Sequence, residues 1–219
     1  IGTKFEYLED FSIGLDTSAY IERIETDGTA STRQKTQEGS YFDNYLNLSF
    51  DYDKRNQKYK TSDGFISIYK INLPIISENN TLINSYNYKI FSELFEENIS
   101  SFSMSFSSAS SITGENIKLS ERLYVPQRKL RGFVNGKIGP MDGEDYIGGN
   151  YYALMNFSTT IPQILSNAQN IEVISFFDMA NLWGVDDNVL DDGNKLRSSV
   201  GLGIDWFTPI GPLNFSFAH

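Results

Sequence analysis

The side chains that usually carry out catalysis are scarce in this sequence. The 219 residues contain no Cys and one His, which is residue 219. A Ser-His-Asp triad, a Cys-His pair and a multi-histidine metal site are therefore excluded within the chain, since each needs an imidazole or a thiol beside its partners. Carboxylate pairs remain open, but no set of acid, base and nucleophile stands out. We predict that the protein is not an enzyme.

Two short segments have the composition of ligand sites. Residues 132–137 contain two glycines and a Lys, but they lack the spacing and the Ser or Thr of a phosphate-binding loop. The carboxylates of Asp186, Asp187, Asp191 and Asp192 could bind Ca²⁺, although their spacing matches no EF-hand. We interpret the second segment as an exposed acidic loop, with a cation bridge to lipopolysaccharide as the alternative. No cofactor and no protein-held metal are predicted.

The net charge and the hydropathy limit the class of protein further. There are 18 basic and 28 acidic residues, a net charge of −10, so nucleic acid, which needs a basic surface, is an unlikely partner. Aromatic residues make up 14% of the chain, which argues against disorder. No apolar run approaches the roughly 18 residues of a membrane helix, but a spanning strand needs only about 10 residues with every second one apolar.

Apolar and polar residues alternate along most of the chain, as they do in strands with two different faces. Between Leu196 and Trp206 the even positions are mostly apolar, and the odd positions are charged or small. Residues 43–55 and the Ser-rich residues 100–113 share this period. We predict ten strands, near residues 1–8, 11–24, 41–55, 64–76, 82–96, 99–112, 150–163, 170–183, 196–208 and 211–219.

The lengths of these strands favour a transmembrane barrel. Strands of soluble sandwiches usually have about five or six residues, and most of the predicted ones are much longer. Their apolar rows carry no charge at the centre, aromatic residues cluster near their ends, and longer and shorter connections tend to alternate. We therefore predict an all-β, antiparallel, up-and-down transmembrane β-barrel, with a soluble barrel or sandwich as the alternative.

Several short motifs follow one another in the second half of the chain. They include Leu130-Arg131-Gly132-Phe133, Ile138-Gly139-Pro140, Ile147-Gly148-Gly149-Asn150, Phe176-Phe177-Asp178 and Gly211-Pro212-Leu213-Asn214. In this order they resemble the carboxy-terminal barrel of the BamA family of outer-membrane assembly factors, within the bacterial surface antigen superfamily. The resemblance covers nearly the whole chain and is strongest from residue 119 to residue 217.

This resemblance implies a barrel of about sixteen strands that is preceded by periplasmic POTRA domains. No POTRA-like alternation of helices and strands occurs in the sequence. We therefore expect residues 1–219 to be a partial outer-membrane barrel of about ten strands, the sixth to the fifteenth, without the POTRA domains and without the first and last barrel strands. The long connection, residues 113–149, is expected to fold back into the lumen.

The resemblance also implies a contact between this loop and the wall. If Asp178 points inward, strand parity places Phe176 and Glu172 on the same face. We expect Arg131 to pair with Asp178 and to stack on Phe176, Gly132 to allow a tight turn, and Phe133 to pack on the wall. Relatives often carry a Glu where this chain has Ser158, so Glu172 or Asp205 could replace that acidic partner. The structural motif comprises Ile138, Gly139, Pro140, Gly148 and Gly149.

The implied function is insertion of client barrels into the Gram-negative outer membrane, by lateral opening of a seam and templating of client strands, without an energy source. The implied partners are unfolded outer-membrane barrel clients, periplasmic accessory lipoproteins of an assembly complex, lipid and lipopolysaccharide. Two alternatives remain open: a secretion or translocation pore of the same superfamily, and a diffusion porin.

Overall fold

The computed structural model describes residues 1–77, 80–162, 170–186 and 193–219. Asp187, Asp191 and Asp192 of the acidic segment lie outside these residues. The chain forms one ten-stranded antiparallel sheet in the order β1-β2-β3-β4-β5-β6-β9-β10-β11-β12, and one small hairpin, β7-β8. The strands are β1 Gly2–Leu8, β2 Phe11–Ile24, β3 Gly39–Asp53, β4 Gly64–Ile76, β5 Thr81–Phe95, β6 Asn98–Ser111, β7 Met141–Asp142, β8 Asp145–Tyr146, β9 Tyr151–Thr160, β10 Ile171–Trp183, β11 Arg197–Thr208 and β12 Gly211–Ala218.

The ten predicted strands are confirmed, and their bounds differ by a few residues at most. Sequence periodicity missed the short elements: the β7-β8 hairpin, a helical turn α1 at Thr32–Lys35, and two 3₁₀ turns at Leu119–Glu121 and Gln127–Lys129. These elements are too short to show a period. Helix α1 forms because Ser31 and Gln34 make a capping box, in which each side chain accepts a hydrogen bond from the other residue's backbone amide.

The two faces of the sheet differ as the alternation predicts. In β10 the side chain of Phe177 is 42% exposed, whereas its neighbours Phe176 and Asp178 are buried. In β11 Leu202 is exposed and Ser199 is buried. All ten long strands belong to a single sheet, so the alternative of two stacked sheets is wrong, and the fold is a partial up-and-down β-barrel. Within the described ranges no helix is long and apolar enough to cross a bilayer.

The main apolar core lies between the wall and the long loop, which we define as residues 112–150. Val125, Leu130 and Ile138 of the loop pack against the inner side chains of β9 and β10, with Leu123, Phe133 and Tyr152 partly buried around them; the wall residues are Leu154, Ala180 and Leu182. The loop therefore folds into the lumen, which confirms the expected direction. The core of the protein is formed by loop and wall together.

A second connection turns inward at the opposite end of the strands. The turn at residues 54–63 joins β3 to β4, and strand alternation places it at the end away from the long loop. Lys60 Nζ lies 3.0 Å from Glu172 Oε1 of β10 and 4.0 Å from the centre of the Phe207 ring of β11. This turn therefore reaches across the bore to strands that are not its neighbours in the sheet.

Candidate functional site

Arg131 forms the central contact between the long loop and the wall. Its Nε donates to Asp178 Oδ2 at 2.7 Å, and its Nη2 donates to Asp178 Oδ1 at 2.7 Å. Its backbone amide also donates to Asp178 Oδ2, at 3.1 Å. The guanidinium carbon lies 3.4 Å from the centre of the Phe176 ring. The predicted pairing and stacking are confirmed, and their bidentate geometry is specific to an arginine.

Asp178 is completely buried, so its charge depends on the surrounding donors. Besides Arg131, the carboxylate accepts a hydrogen bond from Asn156 Nδ2 at 2.9 Å. Asn156 lies directly opposite Asp178 in the β9-β10 register, and its amide also donates to the carbonyl of Lys129 at 2.6 Å. Sequence reasoning missed Asn156. The signal that could have identified it is the strand register, counted from the pairing of β9 with β10.

The acidic candidates beside Arg131 have other partners in the structure. Glu172 pairs with Lys60 of the 54–63 turn, and Asp205 accepts a hydrogen bond from Asn214 Nδ2 at 2.6 Å. Ser158, where the family resemblance leads us to expect a Glu, shares a hydrogen bond with Ser101 at 2.9 Å. Asn156 therefore supplies the additional polar contact in this site, and it contacts the carboxylate rather than the arginine.

The other three residues of the 130–133 motif shape the tip of the loop. Leu130 is buried, and Phe133 packs on the core cluster, as expected. Gly132 has a φ of +86°, which favours glycine, and a Cβ there would lie 2.8 Å from Cβ of Ala218. The motif thus turns closely against β12 while Arg131 points toward β10.

The structural motif, residues 138–140 with Gly148 and Gly149, brings the loop backbone close to the end of β10. A Cβ at Gly139 would lie 2.5 Å from Leu182 Cδ2, and a Cβ at Gly149 would lie 2.8 Å from the carbonyl oxygen of Trp183. Gly148 has a φ of +72° and approaches the carbonyl of Leu123. Ile138 and Pro140 are buried beside them. The motif therefore has a structural role in close packing, as the sequence predicts.

A water-accessible cavity of about 860 Å³ lies beside the loop tip. Lys129 reaches the inner face of β5 and β6 there, and its Nζ donates to Asn87 Oδ1 at 2.9 Å and to Ser105 Oγ at 2.7 Å. Burial lowers the pKa of the Lys129 amine below its ordinary value. The small serine side chains on the inner face of β6 leave space for this part of the loop.

Asp186 joins the long loop to the end of β10. It accepts hydrogen bonds from Arg122 Nη2 at 3.1 Å, from Asn150 Nδ2 at 2.7 Å and from the backbone amide of Ile117 at 2.9 Å. Its described contacts are thus those of a structural residue. Among the residues that the structure describes, no group of three or more His, Cys, Asp or Glu could hold a metal ion.

Comparison with known proteins gives one family and several relatives. The Omp85 superfamily domain matches residues 2–219. The outer membrane protein assembly factor BamA of Neorickettsia risticii (strain Illinois) is 33% identical over 110 residues, which cover 48% of this chain and 15% of that protein. The BamA of Neisseria meningitidis serogroup B is 25% identical over 120 residues, which cover 41% of this chain and 15% of that protein.

A similar fold is found in the crystal structure of BamA from Haemophilus ducreyi lacking POTRA domains 1–3. The TM-score is 0.82 at 22% sequence identity, and the match covers 99% of this chain and 49% of the other. The chain thus spans about half of that structure and a much smaller part of the two curated relatives.

Proposed function

The chain belongs to the Omp85 superfamily and lies in the bacterial outer membrane, and we propose that it is part of a barrel that inserts other β-barrel proteins into that membrane. Two curated relatives are named as outer membrane protein assembly factors, and the fold matches a barrel of the same name. The observation that carries the proposal is the bidentate contact of Arg131 with the buried Asp178, which holds the long loop inside the lumen.

The proposed mechanism uses the backbone at an edge of a sheet and consumes no energy source. In a closed barrel every strand is paired on both sides, so a client strand can enter only where one pairing opens. The opened edge then offers a row of amide and carbonyl groups that can template the client strand. In this proposal the described sheet corresponds to the sixth to fifteenth strands, the seam lies beyond it, and POTRA domains precede the barrel in the whole protein.

The long loop would keep the wall in shape while the seam opens. It contacts β10 through Arg131, and its apolar side chains fill the space between loop and wall. Opening a seam removes hydrogen bonds that otherwise maintain the curvature of the sheet. A loop that is attached to the inner face can maintain this curvature without them. The partners of the whole protein would be unfolded barrel clients, accessory lipoproteins, lipid and lipopolysaccharide, and it would carry out no enzymatic reaction.

The test is an Arg131→Ala variant of the intact protein, reconstituted into lipid vesicles with an unfolded client barrel. We expect the barrel itself to remain folded and the rate of client insertion to fall strongly, because the loop tip loses its attachment to Asp178. Arg128→Ala is the matched control, since Arg128 is an exposed arginine of the same loop. Full insertion activity in Arg131→Ala would contradict the proposed role of the loop.

The two alternative functions differ from the proposal in what passes through the bore. A secretion pore would export a partner through the lumen, and a diffusion porin would conduct ions at a rate that the lumenal charges set. The long loop occupies the lumen, which weighs against free diffusion. A stable, large conductance in planar bilayers without client insertion would favour the porin, and transfer of a client to the far side of the vesicle would favour the secretion pore.

A further inference from the structure

A second charged cluster attaches the long loop to the wall, well before the Arg131 tip. Lys118 has a side chain only 1% exposed. Its Nζ lies 2.7 Å from Asp43 Oδ2, 3.0 Å from Glu22 Oε2 and 3.7 Å from Glu121 Oε1. The same ammonium group lies 4.7 Å from the centre of the Tyr41 ring. If the loop moved away, the Lys118 ammonium could be solvated by water, but the buried Asp43 carboxylate would be left without its counter-charge, which is costly inside a protein.

Glu121 extends this cluster to a further strand. One of its carboxylate oxygens accepts a hydrogen bond from the hydroxyl of Tyr45 on β3, and the other accepts one from the hydroxyl of Thr81 on β5. Both of these wall residues are buried. Next to it, Ser120 Oγ donates to Glu22 Oε2 at 2.7 Å. Three neighbouring loop residues therefore contact β2, β3 and β5.

The two attachments lie on separate parts of the wall. In the sheet, β2 and β3 are separated from β10 by β4, β5, β6 and β9. Lys118 contacts β2 and β3, and Arg131 contacts β10, although only twelve residues separate the two side chains in the sequence. The segment between them cannot shift along one wall without breaking contacts on the other. The position of each attachment therefore constrains the other.

We infer that Lys118 is a positioning residue, which holds the start of the long loop on β2 and β3 so that Arg131 meets Asp178. This inference rests on the proposed function, because it assigns the cluster a task in that same loop. Ion pairs and hydrogen bonds require particular partners at particular distances, so they fix where the loop lies on the wall more narrowly than apolar packing does.

The position of the loop can be measured without any insertion assay. The chain has no cysteine, so Cys introduced at the exposed Val134 of the loop and at the outward-facing Phe177 of β10 can carry spin labels. In the intact protein we expect a narrow distance distribution between the labels. Lys118→Met should broaden it and lower the rate of client insertion roughly tenfold or more, because it leaves Asp43 buried without its cation. Lys118→Arg should keep the narrow distance distribution and the normal rate of client insertion, because it keeps a cation at this position.

Lys137→Met is the matched control, because Lys137 is an exposed lysine of the same loop. If Lys118→Met fails to fold, Lys118→Gln replaces it, because it keeps hydrogen-bond donors and removes the charge, and a broad distribution is again expected. A narrow distribution in the folded Lys118→Met or Lys118→Gln variant, or a broad one in Lys118→Arg, would overturn the inference. Failure of the proposed function would instead appear as normal insertion by Arg131→Ala, whatever the distances show.

Discussion

Asp178 is the residue on which the loop tip depends most directly. Its carboxylate accepts two hydrogen bonds from the Arg131 side chain, one from the Arg131 backbone and one from Asn156. All of these donors point at a group that is shielded from water. A neutral side chain of the same shape would turn an amide NH₂ toward some of the donors and would leave the guanidinium without its counter-charge.

We therefore expect Asp178→Asn to destabilise the barrel by about 3–5 kcal/mol, the usual cost of breaking a buried ion pair. The measurement is the thermal unfolding of the barrel in detergent, followed by its shift in gel mobility. Asp63→Asn, at an exposed carboxylate in the 54–63 turn, serves as the control and should leave the unfolding temperature nearly unchanged. An equal effect of both substitutions would show that Asp178 has no special role.

The Lys118 cluster predicts a dependence of the loop on alkaline pH. Burial lowers the pKa of the Lys118 amine, but hydrogen bonds with Asp43 and Glu22 and the charge of Glu121 outweigh it, so the pKa is raised above 10.5. A raised lysine pKa stabilises the folded state fully below the unfolded value, and this stabilisation is lost as the pH rises through the folded value.

The distance between labels at positions 134 and 177 should therefore stay narrow at neutral pH and up to about pH 10, and broaden only above the ordinary lysine pKa. In Lys118→Arg the narrow distribution should extend further, because a guanidinium does not lose its proton in this range. Broadening near neutral pH in the unmodified chain would contradict this assignment of charge.

Some of these residues could be predicted from the sequence and others could not. Phe176 and Asp178 could be predicted because strand parity places them on the same face of β10. Arg131 could be predicted because it belongs to the ordered series of motifs. Asn156 could be identified only from the register of β9 with β10, which pair directly but are separated in the sequence by residues 161–170. Lys118 has no periodic signal, because its partners on the wall, Asp43 and Glu22, lie 75 or more residues earlier in the chain.

At the scale of elements, the inner face of β6 shows how a strand can make room for a loop. Ser101, Ser103, Ser105 and Ser107 each make a hydrogen bond to a side chain of a neighbouring strand. Ser105 is also the point where Lys129 of the loop reaches the wall. The low complexity of this segment thus reflects a face that must be both polar and small.

We expect Ser105→Leu to destabilise the folded barrel by about 1–3 kcal/mol, because the larger side chain overlaps the space that Lys129 occupies and removes its acceptor. The change should appear as a lower unfolding temperature of the barrel. Met104→Leu, on the outward face of the same strand, is the control and should cost less than about 1.5 kcal/mol. If Ser105→Leu were neutral, the loop would not lie close to this strand.

The strands themselves were predictable because burial of one face imposes a period of two over many residues. The path of the long loop was predictable only through the motif resemblance. The short β7-β8 hairpin of this loop and the helical turn α1 between β2 and β3 depend on local signals, such as the positive φ of Gly143 and the Ser31 cap. Such signals span three or four residues and are common by chance.

At the scale of the whole molecule, the outward apolar rows determine where the barrel can reside. Leu202 lies near the middle of β11 and is 53% exposed on the outward face, whereas Ile210 lies in the turn between β11 and β12. Leu202 should therefore face hydrocarbon, whereas Ile210 should lie near the end of the strands. The energetic cost of a charge should therefore differ between the two positions.

We expect Leu202→Arg to destabilise the barrel in a bilayer by about 2–4 kcal/mol, and Ile210→Arg to cost at most about 1 kcal/mol, because the cost of an arginine falls toward the interface. Urea unfolding of the protein in lipid vesicles would measure both. Similar costs at the two positions would mean that the outward row does not face lipid.

The 54–63 turn adds a consequence for the cell. Lys60 contacts β10 and β11 at one end of the strands, and the long loop occupies the lumen from the other end. A small hydrophilic molecule that diffuses along this part of the bore meets protein from both directions. We expect bacteria that carry the intact protein to keep their resistance to large hydrophilic antibiotics and to lose it when both inward segments are shortened, measured as a fall in the minimal inhibitory concentration.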